Sequence, residues 1–504
     1  ALSSAASDVY KRQEVKHDLT ITAANIVVSA ETSQYCRLGG VDTGSNERKD
    51  VLAVGLQIDS GQVNFTGESI QVTARNQYDS FSGSSKAEGS AFLSNGGDTE
   101  AYGIRITGGE ATVKLNGSLK FYTVDNGAGG SGSVCEAGKA ADGGNGGDAY
   151  TAGISAAGGE LELEVAGMDI SVYGGDGGSI GLMTKSTENV AATGKVQATG
   201  GTGGTASAFG LDNREADTTL DVKNDIKLTA VGGIGGTSSS SNWSAANVFD
   251  KTELDIIAHE TAAGAGGIAM AAGVQNAAGS LQATVQKLEI KTTGGIGGAG
   301  SSIYSSLGIT GGAGGAAAAY GINILGGTAS EVTAAKIVVQ AEGGAGGDGG
   351  RANLYGDRAE TADGTGCTGG KGGTGSTGAA YGVSNVGGAA AVTAAKITAQ
   401  ATGGKGGTGG NVDKGWNSTT VYGIGGAGGD GGDAYAYGVY GSGSAKTMIA
   451  ADLIVAEATA GAGGDGASIT GGNATAGSNG STGSKAEAYG VYAEQNAVIA
   501  VYAK

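Results

Sequence analysis

Four ten-residue segments of this chain are variants of one another: TAANIVVSAE (22–31), TAAKIVVQAE (333–342), TAAKITAQAT (393–402) and IAADLIVAEA (449–458). A second motif, a small or aromatic residue followed by Gly and an aliphatic residue, recurs between them. It stands at Val54-Gly55-Leu56, Tyr102-Gly103-Ile104, Ala152-Gly153-Ile154, Phe209-Gly210-Leu211 and Ala272-Gly273-Val274. It continues at Tyr320-Gly321-Ile322, Tyr381-Gly382-Val383, Tyr437-Gly438-Val439 and Tyr489-Gly490-Val491. The interval between successive glycines runs from 48 to 63 residues. A repeat this long, with its length variation gathered in loops, is the signature of a solenoid, in which each unit buries its apolar face only against its neighbours.

Each module reads the same way. A short strand such as AYGINI is followed by a turn, often Gly-Gly as at Gly326-Gly327, and then by two more strands. In ELELEV (160–165) the residues Leu161, Leu163 and Val165 share one face; in MDISVY (168–173) Met168, Ile170 and Val172 do. LDV (220–222) and DIKLTAV (225–231) repeat the pair. Alternation with period two marks half-buried strands, and helical periodicity is nearly absent. Three strands per module predict an all-β chain, a right-handed parallel β-helix of about ten coils. Coils stacked ~4.8 Å apart give an axis of roughly 50 Å. The small residues Ala, Val and Ile suit a narrow core. The motif glycine fits a bend or a close approach of backbones. A β-sandwich, with hairpin turns every 8–12 residues, fits the long period poorly.

After the third strand nearly every module emits a glycine run. Examples are GGDGGS (174–179), GGIGGT (232–237), GGIGGAG (294–300), GGAGGDGG (343–350) and GGKGGTGG (403–410). A polar tip follows, and a second run such as GGAGG (311–315) or GGKGG (369–373) returns to the next Tyr-Gly strand. The chain holds 105 glycines and no proline, against an average glycine usage of about 7%. Collagen needs proline and an unbroken Gly-X-Y period, so it is excluded. With 39% hydrophobic residues in strand-like alternation, simple disorder fits poorly. The period inside a run is Gly-Gly-x, which matches the three residues per turn of a polyproline-II-type helix. Two readings stand at this point. Either the runs stack as a polyglycine-II-like layer beside the β-helix, satisfying their backbone groups on one another, or they are flexible loops.

The formal net charge is −18, which argues against nucleic acid or an anionic membrane surface as partner. Cys36, Cys135 and Cys367 lie far apart without a CxxC pair and read as unpaired thiols. With two histidines, His17 and His259, no zinc site is expected. No metal site or cofactor is assigned. No apolar run approaches the ~20 residues of a membrane span. The opening ALSSAASDVYKRQ (1–13) resembles a translated sequencing adapter and is set aside from the fold. Residues 14–504 are read as one solenoid cut at both ends, with any signal peptide or membrane anchor lying outside it.

The glycine runs invite functional readings. A phosphate loop needs G-x-x-x-x-G-K-[ST] between strand and helix, and that pattern is missing. G-G-x-G-x-D, the start of a calcium-binding nonapeptide, occurs at 143–148, 343–348, 425–430 and 428–433. Calcium β-rolls need tandem repeats, and these matches are isolated, so chance in a Gly/Asp-rich chain competes with calcium binding. Charge is sparse on the strands and no paired carboxylates recur at one position. The ladder Glu160, Glu162, Glu164 reads as a solvated strand face. His17 and His259 lie in no nucleophile motif. The tips carry the bulky variety: Trp243, Tyr304, Arg351, Tyr355, Arg358 and Trp416. Exposed aromatic and Arg residues on loops favour partner contacts, although packing of the loop ends would also use them.

The pattern AYGI…GG…VTAAKIVVQAEGG resembles, over roughly residues 15–504, the repeat region of bacterial autotransporter passengers and filamentous-haemagglutinin-like adhesins. That resemblance implies a parallel β-helix stalk, secretion across the outer membrane and display on the bacterial surface. It also implies adhesion, aggregation or biofilm contact with host or neighbouring-cell glycans and proteins, or with sister molecules. The Gly-Gly-x insertions depart from it, and no C-terminal translocator barrel is seen. Gly-Gly-x bundles also resemble glycine-rich adhesin tips and some antifreeze proteins, which lack strand cores of this kind. The expectation is a non-catalytic extracellular stalk and adhesin. The alternatives are a carbohydrate-active β-helix lyase or hydrolase, and a calcium-binding β-roll-like secreted protein.

Overall fold

The alternating segments form two long parallel sheets. The computed structural model describes residues 19–31, 50–76, 95–125, 143–179, 199–238, 262–300, 308–353, 367–413, 422–443, 445–468, 473–494 and 496–502. Short strands, from Val51–Ile58 and Thr99–Ile106 through Ala149–Ala156 and Ala206–Asn213 to Ala434–Gly441 and Ala486–Ala493, build a nine-stranded sheet. Long strands, from Leu19–Glu31 through Glu110–Asp125, Glu160–Tyr173, Asp217–Val231, Ser280–Thr293, Ala329–Glu342 and Ala389–Thr402 to Lys446–Thr459 and Val498–Tyr502, build a ten-stranded one. Each interior strand pairs in parallel with its counterpart one coil before and one coil after. This is the parallel β-solenoid expected from the repeat, and no helix occurs among the described residues.

One expectation changes. The second and third strands of a module are a single long strand. The strand runs on through Val165–Met168, where pairing with the next coil is interrupted and the register slips by one. The slip recurs between Leu115 and Ser118 and between Gly67 and Ile70. The inward face changes phase there: Leu161, Leu163 and Val165 are buried before it, and Met168, Ile170 and Val172 after it. A β-irregularity of this kind bends a strand without ending it, so one strand lines two walls of the core.

Inward residues stack in columns. Ile170, Leu228, Ile290, Val339 and Ala399 stand in register across five coils, all buried. Each fully buried Val, Leu or Ile contributes roughly 1.5–3 kcal/mol. The motif glycine lets the short strand turn inward against this column. Ala101 and Ile104, on either side of Tyr102-Gly103, both enter the core. A Cβ on Gly321 would lie 2.4 Å from Ile337 Cγ2 and 2.5 Å from the Gly382 carbonyl oxygen. The glycine therefore serves both expected roles, bend and close approach.

The corner after the short strand carries its own stack. Gly109 and Gly159 occupy the left-handed region at φ 85° and 83°. Where the sequence has Arg214-Glu215-Ala216 instead, buried Asn213 closes the turn: its amide donates to Ala216 O at 3.0 Å and its carbonyl accepts Ala216 N–H at 3.2 Å. Asn213 also donates to Asn276 Oδ1 one coil on, at 2.8 Å.

Candidate functional site

The glycine runs are ordered and form a two-layer slab. Outgoing runs make one layer and returning runs the other. Within a layer the first glycine of each pair donates to the third residue of the next coil: Gly174 to Val231 O and Gly177 to Ile234 O, and likewise Gly200 to Ala262 O and Gly203 to Ala265 O. Between layers the second glycine donates to a second glycine of an antiparallel run: Gly175 to Gly147 O, Gly178 to Gly144 O, Gly201 to Gly178 O and Gly204 to Gly175 O, all at 2.6–3.0 Å. This is polyglycine-II packing, and it leaves two positions in three mostly to glycine, with Ser376, Ala467 and Ile309 among the exceptions. A Cβ on Gly232 would meet Gly267 O at 2.0 Å, and one on Gly233 would meet Gly175 O at 1.9 Å. The third position points to solvent, where Ile234, Ile268 and Ile296 are 46–52% exposed.

GGAGGDGG (343–350) is therefore one strut of the slab. Its glycines contact Ser376, Gly295, Gly373, Gly298 and Gly370, and Ala345 and Asp348 take the outward positions. The outward positions leave backbone N–H groups facing solvent, and aspartates of the preceding coil cap them. Asp148 Oδ1 accepts from Thr205 N at 2.7 Å, Asp348 from Thr408 N at 2.8 Å, Asp430 from Ser481 N at 2.8 Å and Asp433 from Lys485 N at 2.9 Å. These four are the aspartates of the G-G-x-G-x-D matches. Hydrogen bonds from Ser481 N–H and its hydroxyl hold the Asp430 carboxyl below the usual carboxylate range. Among the described residues no three His, Cys, Asp or Glu stand close enough to hold a metal ion.

The far ends of the described runs share one edge of the slab. Among the described residues the outgoing segments reach Ser179, Ser238 and Gly300, and the returning ones set out from Thr199, Ala262 and Gly308. Two small ladders run along this edge, Ala352–Asn353 with Val412–Asp413, and Cys367–Thr368 with Tyr422–Ile424 and Asn473–Thr475. Arg351 sits there, exposed. Trp243, Tyr304, Tyr355, Arg358 and Trp416 lie outside the described residues, as do Cys36, Cys135, His17 and His259.

Two further features were missed in the sequence. The first is a recurring single carboxylate; no pair recurs, since Glu162 faces Thr112 and Thr219 in the adjoining coils. Glu110, Glu160 and Asp217 occupy one column in three consecutive coils, and Glu162 stands beside them. They line a groove of about 930 Å³ on the outer face of the long strands, which continues past Glu331 to Lys446 and Met448. Asp217 accepts from Ser280 N and Oγ, at 3.0 and 2.6 Å, and these bonds lower its pKa. Gln62 donates to Glu110 at 2.6 Å.

The second feature is a tyrosine ladder on the outer face of the short strands. The rings of Tyr320, Tyr381, Tyr437 and Tyr489 stack at centroid distances of 4.8, 5.1 and 5.6 Å, within 11° of parallel. Tyr440 and Tyr492 form a parallel pair beside them at 6.0 Å. Nearer the N-terminus Tyr150 takes over, donating to Asp212 Oδ2 at 2.7 Å. Asp212 is buried and fully engaged, also accepting from Arg214 Nε at 2.9 Å and Gln275 Nε2 at 3.0 Å. That cluster ties coils together and leaves no group poised for chemistry.

No family model, curated protein or solved structure matches the chain.

Proposed function

We propose that the chain is a non-catalytic, extracellular structural stalk and adhesin. One observation carries this reading: the paired antiparallel glycine runs hold the start and end of successive loops at one edge of a rigid slab. A rigid row of launching points suits repeated, weak contacts with an extended surface, because several modules engaged together multiply a modest affinity. The partners would be surface glycans or proteins of host or neighbouring cells, or sister molecules. The bacterial surface-protein resemblance of the repeat points the same way.

The test is to replace segments 239–261 and 354–366, which hold Trp243, Tyr355 and Arg358, with short Gly-Ser connections. Thermal melting and retention on immobilised cell-surface glycans and on intact bacterial cells are then compared with the full chain. Retention should fall while the melting midpoint stays within a few degrees. Unchanged retention sinks the reading.

The stacked carboxylates of the groove favour a second reading, a carbohydrate-active enzyme, because a groove running across coils fits a linear polymer. Release of reducing or unsaturated ends from a panel of polysaccharides, abolished by Glu160→Gln or Asp217→Asn, would replace the adhesin reading with this one.

A further inference from the structure

We propose that the tyrosine ladder is a site of oxidative cross-linking, at which a one-electron oxidant joins tyrosines of neighbouring coils through carbon–carbon bonds. Six tyrosines of four successive coils take part: Tyr320, Tyr381, Tyr437, Tyr489, Tyr440 and Tyr492. Tyr381 has Tyr320 stacked on one side and Tyr437 on the other. Tyr437 and Tyr440 meet at 64° and 5.3 Å, and Tyr489 and Tyr492 at 48° and 4.8 Å. Neighbouring rings are thus held in contact before any reaction, which replaces a bimolecular encounter by a local one. Because the ring faces cover one another, the ladder offers no open platform for a planar or sugar ligand. Its accessible chemistry lies at ring edges and phenolic oxygens.

The step balances. Each of two phenols gives one electron to the oxidant and loses its proton, at Tyr440 to the hydrogen-bonded carboxylate of Glu494, elsewhere to water. The two phenoxyl radicals couple at the ring carbons ortho to oxygen. The hydrogens on the coupled carbons then move to the oxygens and restore both phenols. With hydrogen peroxide as oxidant, acting through a haem peroxidase, the two electrons and two protons convert one peroxide to two waters. Tyr489, 36% exposed, is an entry point for oxidation, and the stack carries the radical inward. The product is a covalent staple between coils that otherwise hold only their neighbours.

The experiment treats the full chain with hydrogen peroxide and a haem peroxidase, and in parallel with photoexcited ruthenium tris-bipyridyl and persulfate, which does not depend on enzyme access. Dityrosine fluorescence is recorded and cross-linked peptides are identified by mass spectrometry. The expected product keeps the mass of one chain, melts at a higher temperature and links residues 434–441 to 486–493. Its yield in the folded chain should exceed that in urea by about tenfold, the advantage of held proximity. The double variant Tyr489→Phe/Tyr492→Phe keeps the stacked rings and should lose this peptide pair while retaining a Tyr381–Tyr437 link. Cross-links at equal yield in urea, links only between chains, or no dityrosine under either oxidant would each overturn the proposal.

Discussion

Asp148 reaches one coil forward to accept the backbone N–H of Thr205 at 2.7 Å. It thereby satisfies a donor that the polyglycine geometry turns outward and that no backbone carbonyl can reach. The same contact serves Asp348, Asp430 and Asp433, so the aspartates of the calcium-like sequence matches are caps. Asp148→Ala should cost about 0.5–1.5 kcal/mol, the net worth of one such bond. Denaturant melts with and without calcium check this. The loss should be the same in both, and a melting point that rises with calcium only in the parent chain would identify these aspartates as ligands.

Within the central runs, such as 232–236, glycine fills two positions of each triplet and a side chain is admitted at the third. Gly233→Ala places a Cβ 1.9 Å from Gly175 O, contact that must push the layers apart. It should destabilise by about 1–3 kcal/mol or more, as overpacking does. Ala265→Ser, at an outward position, should stay within about 0.5 kcal/mol of the parent. Equilibrium unfolding of the two variants side by side decides it. A reversed order would mean that the slab does not exist in solution.

Acid should loosen the contacts between coils. The Asp217 carboxyl is lowered by hydrogen bonds from the Ser280 hydroxyl and N–H, and that of Asp430 by those from Ser481. A group depressed in the folded state contributes stability above its unfolded value, near 3.9 for Asp, and that contribution disappears as pH falls through the folded value. Melting temperature should therefore be level from pH 7 to about pH 5 and drop below about pH 4. Asp217→Asn combined with Asp430→Asn should flatten the drop. A double variant with the parent's acid profile would contradict the assignment.

The ladder answers to the opposite end of the scale. Burial, then the nearby Glu487 and neighbouring tyrosines, pushes the Tyr437 phenol up to about 12. Burial with the Glu100 charge does the same for Tyr102, also to about 12. For a group raised in the fold, stability is complete below the unfolded value near 10 and is lost as pH rises through the folded one. Spectrophotometric titration should show these phenolates appearing late, together with loss of β-sheet dichroism. Early, fully reversible ionisation of every tyrosine near pH 10 would show that the rings are not packed as described.

The local half of this architecture was legible from the chain. Leu161, Leu163 and Val165, then Met168, Ile170 and Val172, declare their faces by alternation alone, and all six are buried. The triplet period of the glycine runs declared their three-fold helix. What stayed hidden depends on register between coils. Glu110, Glu160 and Asp217 become one column only after insertions of unequal length have been looped out. The continuity of the long strand was obscured because the phase change at Ala166-Gly167 looks like a break, although the strand continues through it. The tyrosine stack was nearer to view, since Tyr320, Tyr381, Tyr437 and Tyr489 all precede the motif glycine. Repetition at a fixed place in a solenoid module is itself a statement of contact.

The slab also determines how the molecule would carry a load. A pull on a loop tip is transmitted along its outgoing and returning runs, while the bonds that hold those runs lie across the direction of pull. Such bonds are strained together in shear, so a tip cannot be drawn out one bond at a time. The softest path under tension runs instead along the solenoid axis, where coils can be peeled from an end in turn, and a covalent link in the tyrosine ladder would close that path.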